Sequence, residues 1–397
     1  MATQSPGDST VITPERGLEA HSLVVCSLEP WGEVRRRMRI LVDEIVDLDP
    51  SVHVLYVAPA VDIPHLLRQG KVRPPVGQHL EQVHPRIHVL RPHKWLPRLV
   101  GPFADRSLER QVLKAVGELG MRQPLLWIND AGYAQFAVRT GWPSLYDITD
   151  DWLLAPLTPR QRARLVSDEA LLLEHSEAVV VCSRDLGRTR GRVRKVELIP
   201  NGVDVELFRT PRPRPSALPP APTALYVGTL HLERLDIPLI HDLAKSQSDL
   251  HIVLLGPNDL PADVTARLER VPTIHLLGPY PYDQVPAFMQ HADVVIVPHL
   301  VNPFTESLDP IKAYESLAAG RPTVATPVAG FRDLGTPIVI ADRDHFIDAT
   351  TGALGQAQAR PPGIPTAFET TPIASWRQRA ESMASLMDRV RREGALR

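Results

Sequence analysis

The sequence is poor in cysteine, has no long apolar run and carries almost no net charge. The two cysteines, Cys26 and Cys182, lie far apart in apolar segments, which favours a reducing compartment over a disulfide framework. No window approaches about 18 consecutive apolar residues, so the sequence predicts no transmembrane helix. The formal net charge of −2 argues against nucleic acid as the main partner. We therefore expect a soluble, cytoplasmic protein.

What the sequence does contain is an alternation of strands and helices. Residues 1–20 are polar without an apolar stretch and are predicted to be a disordered tail, not a signal peptide. After them, apolar strand-like runs alternate with helical patterns in two series, which is typical of parallel sheets covered by helices on both faces. The series are separated by RTPRPRPSALPPAPT (209–223), whose prolines predict a stiff interdomain connection.

The predicted fold class is therefore α/β, with two doubly wound, Rossmann-like domains. The domains are expected over 21–205 and 224–372, joined by a Pro-rich linker over 206–223 and followed by a C-terminal helix over 373–397. Ligands of such sheets bind at the carboxyl ends of the strands. Two domains of similar size therefore predict one cleft between them, with room for two substrates.

The first loop at a strand end is SLEPWGEVRRR (27–37). Gly32 is predicted to open a helix that runs to about Val46, and the free N–H groups of that helix start suit an anion. A plain turn beside a solvated arginine face fits the same residues. The loop is not a dinucleotide fingerprint, because the chain contains no G-x-G-x-x-G.

The second loop is YDITDDW (146–152), which directly follows an apolar strand. Its carboxylates Asp147, Asp150 and Asp151, together with Trp152, could hold or deprotonate an acceptor that carries hydroxyl groups. Asp147 is the one expected to face the cleft, whereas the Asp150–Asp151 pair has the alternative role of starting a helix. No partnering histidine accompanies the cluster, so no metal site is predicted.

The third loop, YVGTLHLERLD (226–236), combines a turn glycine with a cation. Gly228 ends a strand, Thr229 offers a hydroxyl group, and Arg234 follows six residues after the glycine. This arrangement suits a pyrophosphate group. Gly-Thr turns with a downstream arginine are also common in proteins that bind no phosphate, so the loop alone does not decide between the two.

The fourth stretch, DPIKAYESLAAGRPTVAT (309–326), predicts a helix with charges in its first turns, followed by a short strand. Asp309 and Pro310 are ordinary helix-start residues. Lys312 and Glu315 are three residues apart and share one helix face, so a surface ion pair explains them. If the helix start points into the cleft, the lysine instead suits a phosphate and the glutamate suits the vicinal hydroxyl groups of a ribose.

This stretch resembles the nucleotide-sugar glycosyltransferases of the GT-B fold, specifically the retaining family 4 group. The signature of that group runs Pro-x-Lys-x-x-Glu-Tyr-Leu-Ala-x-Gly-x-Pro-Val-Val, and this chain has Pro310, Lys312 and Glu315 followed by Ser-Leu-Ala-Ala-Gly-Arg-Pro-Thr-Val. Three more segments resemble the family in the same order: IPNGVDVELF (199–208), HLLGPYPYDQVPAFMQHADVVIVPH (275–299) and Ser-Trp at 375–376. The resemblance implies a bacterial, metal-independent enzyme without a cofactor, and a last helix that returns to the first domain.

The resemblance also implies roles on the donor side. Glu315 matches the family glutamate that binds the nucleotide ribose, and Arg234 stands where many members have a phosphate-binding lysine. Thr229 replaces the usual arginine, which leaves Lys312 as the expected substitute cation. The turn at Gly228 would complete the diphosphate site.

Two further positions bear on the transferred sugar. The family glutamate that contacts the sugar corresponds to Ser307, with Glu306 beside it. Either Glu306 acts from a shifted position, or Ser307, Thr305 and backbone amides recognise the sugar. Asp147 lies in the region where relatives often have a histidine near the sugar. Asp147 and Glu306 are therefore the catalytic candidates.

The resemblance implies a glycosyltransferase that moves a sugar from a nucleoside diphosphate to an acceptor hydroxyl with retention, in envelope polysaccharide or natural-product glycoside biosynthesis. One alternative on the same fold is a nucleotide-sugar 2-epimerase-like isomerase, which needs no separate acceptor. A second is a degenerate, non-catalytic partner protein that only binds a nucleotide sugar, which the departure at Thr229 and the missing sugar-contacting glutamate motivate.

The acceptor side of the first domain contains HVLRPHKWLPRLVGPF (88–103). Its cations are interspersed with Trp95, Leu96, Leu99, Val100 and Phe103. Such a segment could dock on the anionic inner face of a membrane that carries a lipid-linked acceptor. A surface loop that packs its aliphatic residues on the first domain is the alternative, and the acceptor is then a small molecule or a growing polysaccharide.

Overall fold

The computed structural model describes residues 21–32, 34–68, 79–95, 102–219, 222–332, 334, 338–358 and 373–394. The predicted disordered tail, residues 1–20, lies outside them. The described strands are β1 (His21–Cys26), β2 (Val52–Val57), β3 (Val61–Asp62), β4 (Leu80–His84), β5 (Ile87–Leu90), β6 (His93–Lys94), β7 (Leu125–Ile128), β8 (Ser144–Ile148), β9 (Ala178–Val181), β10 (Glu197–Leu198), β11 (Thr223–Val227), β12 (His251–Leu255), β13 (Ile274–Gly278), β14 (Val294–Val297), β15 (Thr323–Ala325) and β16 (Val339–Ile340).

The described helices alternate with these strands. They are α1 (Arg37–Leu48), α2 (Ile63–Arg68), α3 (Pro102–Glu118), α4 (Ala134–Thr140), α5 (Pro159–His175), α6 (Arg184–Arg190), α7 (Val205–Arg209), α8 (Ile237–Ser246), α9 (Ala262–Glu269), α10 (Val285–His291), α11 (Pro303–Glu306), α12 (Ile311–Ala318), α13 (Ala329–Arg332), α14 (Phe346–Gln358) and α15 (Trp376–Gly394).

The first sheet has the strand order β10-β9-β8-β7-β1-β2-β5-β4, and its strands pair in parallel except for β4 with β5. Successive side chains of a strand point to opposite faces. Leu23 and Val25 therefore enter a core covered by α1 and α15, whereas Val24 and Cys26 enter a core covered by α3 to α6. Both cysteines are buried and free of disulfides. Two covered faces explain the continuously apolar strands of this sheet.

The second sheet has the strand order β13-β12-β11-β14-β15-β16, with every pair parallel. One face packs against α8, α9 and α14, and the other packs against α7, α10 and α12. The fold class predicted from the sequence, two doubly wound α/β sheets, is confirmed. Short strands β3 and β6 form a separate parallel pair.

The Pro-rich stretch packs against the second domain. Phe208 of α7 is fully buried in a core of that domain. Gln290 of α10 donates hydrogen bonds to the carbonyl groups of Phe208 and Thr210, and it accepts one from the backbone N–H of Arg212. The chain therefore crosses between the two sheets at residues 199–203, before the proline-rich segment that the sequence predicted as the connection.

The last helix, α15, packs on the first domain. Trp376, Met383 and Val390 are buried in the core beside α1. The backbone N–H of Trp376 donates to the carbonyl of Val203 at 3.2 Å, next to an isolated bridge between Val203 and Ser375. The chain thus passes twice between the domains at one place.

Helix α1 begins at Arg37, not at the predicted Gly32. The Glu29 carboxylate accepts a hydrogen bond from the N–H of Met38 at 3.0 Å, so a side chain from the end of β1 satisfies the first turn of the helix. Gly32 is exposed, and its carbonyl accepts a hydrogen bond from Arg39. The predicted helix start at Gly32 is therefore wrong, so the N–H groups of a helix start are not available at this glycine.

Candidate active site

The loops that carry the candidate residues lie at the carboxyl ends of both sheets. The strand order reverses between β1 and β7 in the first sheet and between β11 and β14 in the second. Ligands of doubly wound sheets bind at such points. Glu29 and Asn129 follow β1 and β7, while Gly228 and His299 follow β11 and β14.

The loop after β8 contacts the second domain. Asp150 Oδ1 lies 3.7 Å from a guanidinium nitrogen of Arg234. The backbone N–H of Asp151 donates to Oγ of Ser307 at 3.3 Å. Burial raises the pKa of Asp150, and the nearby Arg234 offsets part of that increase. Candidates predicted separately for the acceptor side and the donor side therefore meet at one place.

An aromatic contact reinforces this junction. The rings of Trp152 and Phe304 have centroids 5.7 Å apart. The guanidinium carbon of Arg234 lies 5.4 Å from the centroid of the same Phe304 ring, a distance suited to a cation–π interaction. Trp152 remains 39% exposed, which leaves part of its ring free to stack on a ligand. Phe304 was not among the residues that the sequence singled out.

Asp151 is committed to its own domain. Its two carboxylate oxygens accept hydrogen bonds of 2.5 and 2.8 Å from Arg190, which also donates to Glu169 at 3.1 Å. The carboxylate in addition accepts from the N–H of Leu153 at 3.2 Å and so caps a short turn. Asp151 thus has the helix-start role that was the alternative for the Asp150–Asp151 pair, and only its backbone N–H faces Ser307; Asp150 does not share that role, because its carboxylate lies near Arg234.

Asp147, expected to face the cleft, is instead fully buried within β8. One carboxylate oxygen lies 3.4 Å from a guanidinium nitrogen of Arg37, and the other accepts a hydrogen bond of 3.1 Å from the Trp127 ring. Successive side chains of a strand point to opposite faces of the sheet, and this alternation directs Asp147 into the core. A buried carboxylate is stable there only when it is paired with donors such as Arg37 and Trp127. The prediction that Asp147 faces an acceptor is wrong.

The glycine turn after β11 lies directly against the neighbouring strand end. A Cβ atom on Gly256, which follows β12, would overlap the carbonyl of Gly228. The Tyr226 hydroxyl donates to the carbonyl of Thr229 at 3.4 Å. Burial raises the pKa of Tyr226 to about 12, with Arg234 opposing the increase. The N–H of Gly228 donates to the carbonyl of Leu255 at 2.9 Å, and a Cβ atom on Gly228 would lie 2.8 Å from the Tyr226 hydroxyl, so only glycine fits this close approach of two strand ends.

Helix α12 carries the other two donor-side candidates. Glu315 is fully buried, and Nζ of Lys312 lies 2.5 Å from its Oε2 atom. The Oε1 atom of Glu315 has no hydrogen-bond partner among the described residues. Asp309 does not cap this helix, because Pro310 holds the cap position and no side chain there closes the first turn. The simple surface ion pair is therefore excluded for Lys312 and Glu315, since the carboxylate is inside the protein.

The two residues predicted to contact the sugar have different surroundings. The Glu306 carboxylate is partly exposed and pairs with both guanidinium nitrogens of Arg332, at 3.0 and 2.5 Å. Ser307 is fully buried and donates from its hydroxyl to the carbonyl of Phe304 at 2.7 Å. Ser307 therefore faces the first domain, whereas Glu306 points toward the partly exposed α13.

Glu29 is a site residue that the sequence did not single out. Burial raises its pKa to about 7, the N–H of Met38 opposes the increase, and Arg36 lowers the pKa while Asp150 raises it. Both charged residues are thus close enough to act on Glu29 electrostatically. The available signal was its place three residues after β1, at the carboxyl end of a strand beside the point of reversal.

His299 is a second unpredicted residue at the end of β14. Burial, together with the charge of Arg234, lowers its pKa to about 3. Its Nδ1 atom has no hydrogen-bond partner among the described residues. The imidazole is therefore neutral at physiological pH. Across the described part of the chain, no three histidine, cysteine, aspartate or glutamate side chains converge as metal ligands would.

The predicted docking segment is described only at its two ends. Trp95 is 60% exposed and Phe103 is 65% exposed, while residues 96–101 lie outside the described residues. The outer face of α3 adds exposed cations at Arg106, Arg110 and Lys114. Within the described ranges, no helix combines the length and apolar character that crossing a membrane requires.

Comparison with known proteins finds similarity over both domains. Residues 221–356 match the family described as Glycosyl transferases group 1. A Bacillus subtilis protein named as a teichuronic acid biosynthesis glycosyltransferase, TuaH, is 25% identical over 371 residues, covering 85% of this chain and 90% of that protein. HepE of Anabaena, solved with UDP and glucose, has a TM-score of 0.60 at 16% identity and covers 93% of this chain and 99% of its own. Trehalose 6-phosphate synthase of Burkholderia multivorans has a TM-score of 0.65 at 12% identity, covering 96% and 98%.

Proposed function

Because the chain is a glycosyltransferase with the GT-B fold, we propose that it moves a hexosyl unit from a nucleoside diphosphate sugar to an acceptor hydroxyl with retention of configuration. The observation that carries the proposal is Glu315, a fully buried carboxylate with one oxygen unpaired among the described residues. Leaving such an oxygen unpaired is costly, and the vicinal hydroxyl groups of a ribose supply the missing donors. The HepE complex with UDP and glucose supports this class of donor.

The leaving group of this reaction is a nucleoside diphosphate, whose charge grows in the transition state. Arg234 at the domain junction and Lys312 on α12 are the proposed cations. The backbone N–H of Thr229, in the turn that Gly228 opens, is the proposed neutral donor, because the N–H of Gly228 itself donates to the carbonyl of Leu255. Fixed donors and cations in a partly buried cleft stabilise developing charge more than water does. This division of labour requires no metal ion.

Sugar and acceptor would meet where the domains touch. We propose that Glu306 and Ser307 contact the transferred sugar, and that Asp150 and the exposed part of Trp152 face the acceptor. Asp150 is near Arg234 and its pKa is raised by burial, so it can accept a proton from a hydroxyl more readily than an exposed aspartate. Contact between the domains at this point would exclude water and limit hydrolysis of the donor.

For the acceptor, we propose a lipid-linked or polysaccharide substrate of the bacterial envelope, with the protein at the cytoplasmic face of the membrane. The process named for TuaH supports an envelope polysaccharide. The exposed Trp95 and Phe103 beside the cationic face of α3 support peripheral contact with an anionic surface. A small-molecule aglycone remains the alternative acceptor.

Thermal unfolding with a panel of nucleoside diphosphates and their sugars tests the donor site. A ligand that binds only the folded state raises the midpoint temperature, and we expect this for at least one member of the panel. The shift should be lost in Glu315→Ala and kept in Glu381→Ala, an exposed position on α15. A wild-type protein that responds to no member of the panel would contradict the proposal.

One product assay separates the two alternative activities. Incubation with the donor that binds and a panel of hydroxyl-bearing acceptors should yield free nucleoside diphosphate, because transfer breaks the bond between sugar and phosphate while the acceptor hydroxyl takes the sugar. An epimerase would instead return a changed nucleotide sugar, and a binding protein would return the donor unaltered across a broad acceptor panel. Release of the diphosphate is the outcome that we expect.

A further inference from the structure

Two loops from different domains exchange hydrogen bonds beside helix α12. Nδ2 of Asn201 donates to the carbonyl of Asp309 at 2.6 Å, and the backbone N–H of Asn201 donates to Oδ2 of Asp309 at 2.5 Å. The other Asp309 oxygen accepts from the Tyr314 hydroxyl at 2.8 Å. Each side chain binds the backbone of the other residue, so this reciprocal pair of hydrogen bonds fixes both the distance and the orientation between the two segments.

Asn201 is also hydrogen-bonded to residues of the first domain. Oδ1 of Asn201 accepts from Arg37 at 3.1 Å, and Arg37 also donates to the carbonyl of Ile199 at 2.9 Å. Asp147 lies 3.4 Å from the same guanidinium group and accepts from the Trp127 ring. Arg37, Asp147 and Asn201 are all buried. Asp147, which the sequence predicted to face the acceptor, thus positions Arg37, and Arg37 in turn binds Asn201.

The Asp309 end is tied to the donor-side helix. Asp309 stands two residues before α12, whose first turns carry Lys312 and Glu315. The C-terminal helix joins the same point, because Nε of Arg379 donates to the carbonyl of Asn201 at 3.1 Å. A continuous chain of hydrogen bonds therefore runs from the core of the first sheet, through the crossing segment, to the start of the helix proposed to bind the nucleotide.

We propose that Asn201 and Asp309 are positioning residues that set the donor helix against the first domain. This inference rests on the proposed function, because it concerns the position of Lys312 and Glu315. An apolar contact at this place would hold the domains together but would leave their relative orientation free to slide, since apolar contacts are not directional. The reciprocal hydrogen bonds remove that freedom at the place where the chain crosses between the domains.

Three variants and a control separate positioning from stability. Asp309→Ala removes both bonds of the carboxylate, and Asn201→Ala removes the bonds to Arg37 and to the Asp309 carbonyl. Asp309→Asn is the conservative variant, because its amide oxygen can accept from Asn201 and its NH₂ group can donate to the Tyr314 hydroxyl. Tyr314→Phe is the control that removes one bond while leaving both between Asn201 and Asp309.

The readouts are UDP affinity, UDP release from UDP-glucose, and hydrogen exchange of the amides in Ile311–Ala318. We expect the two alanine variants to release UDP about 10- to 100-fold more slowly, since a misplacement near 1 Å has that effect. Their UDP affinity should stay within about threefold of wild type, and exchange in α12 should become faster. Asp309→Asn and Tyr314→Phe should behave like the wild-type protein.

Wild-type rates of release and exchange in both alanine variants would overturn the inference. So would a parallel loss of UDP affinity and turnover that Asp309→Asn does not restore, because that pattern indicates a purely structural role. If wild-type protein binds no UDP and turns over no UDP-glucose, the proposed function fails for this nucleotide. The exchange measurement still decides the inference in that case, because it needs no ligand.

Discussion

At the residue scale, partners and burial decide what each carboxylate at the cleft can do. Asp147 lies in β8 and Asp151 lies in the loop that follows it. Each pairs with a buried arginine, Asp147 with Arg37 and Asp151 with Arg190. Glu29 is partly buried, and its carboxylate accepts a hydrogen bond from the neutral backbone N–H of Met38. Without a directly bound cation, burial dominates and raises the pKa of Glu29 to about 7.

Glu29 should make the stability of the protein depend on pH. The pKa of Glu29 is about 7 in the folded state, whereas its ordinary value is 4.5. The folded state therefore binds the proton more tightly than the unfolded state, and the contribution of Glu29 to the free energy of unfolding falls as the pH rises from 4.5 to about 7. A glutamine keeps the acceptor for Met38 and cannot ionise. Glu29→Gln should therefore be more stable than wild type above pH 7 by about 1–3 kcal/mol, with a smaller difference near pH 4.

Urea unfolding of both proteins between pH 4 and pH 8 measures this difference. Glu118→Gln, at an exposed position on α3, serves as the control and should show little difference at any pH. A Glu29→Gln difference that does not change with pH would argue that the glutamate ionises normally in the folded protein.

At the scale of elements, helix α12 is held in place by a close contact with α13. A Cβ atom on Gly330 of α13 would overlap Cδ of Pro310 and lie 2.8 Å from the carbonyl of Leu308. Leu308 and Pro310 belong to the three residues that lead into the helix. A residue larger than glycine at position 330 would therefore push the start of α12, together with Lys312, away from its present position.

Gly330→Ala should lower the free energy of unfolding by about 1–3 kcal/mol through overpacking, and it should weaken nucleotide binding. The control is Gly352→Ala in α14, where no atom lies within 4 Å of a new Cβ. That substitution should raise stability by about 0.5–1 kcal/mol, because alanine loses less backbone entropy in a helix. Denaturant unfolding measures the stability of both variants, and UDP titration measures their nucleotide affinity. If the two variants had the same stability and the same affinity, the predicted clash at Gly330 would be contradicted.

At the scale of the whole molecule, one face of the first domain combines exposed aromatic rings with cations. Trp95 and Phe103 flank residues 96–101, and Arg106 and Arg110 are exposed on the helix that follows. Aromatic side chains bury their rings at a membrane interface, while cations are attracted to anionic lipids. The combination therefore predicts binding to anionic vesicles that depends on both features.

Trp95→Ala with Phe103→Ala should weaken binding to phosphatidylglycerol-containing vesicles by about tenfold or more. Raising the salt concentration should weaken wild-type binding, because it screens the attraction between exposed charges. Val193→Ala, at a 69% exposed apolar position on another loop, is the control and should bind like wild type. Vesicle flotation measures the bound fraction. A bound fraction that changes neither with the aromatic substitutions nor with salt would exclude docking through this face.

The sequence by itself determined the two doubly wound sheets, because continuously apolar strands between helical patterns form only when both faces of a sheet are covered. It also placed Arg234, Ser307 and Asp150 at strand ends, where loops of parallel sheets gather. The tertiary structure decided which of these side chains meet, and it moved Asp147 into the core and Asp309 from a helix cap to a bond with Asn201. Those outcomes depend on side-chain direction and on partners more than 100 residues away, which local periodicity does not encode.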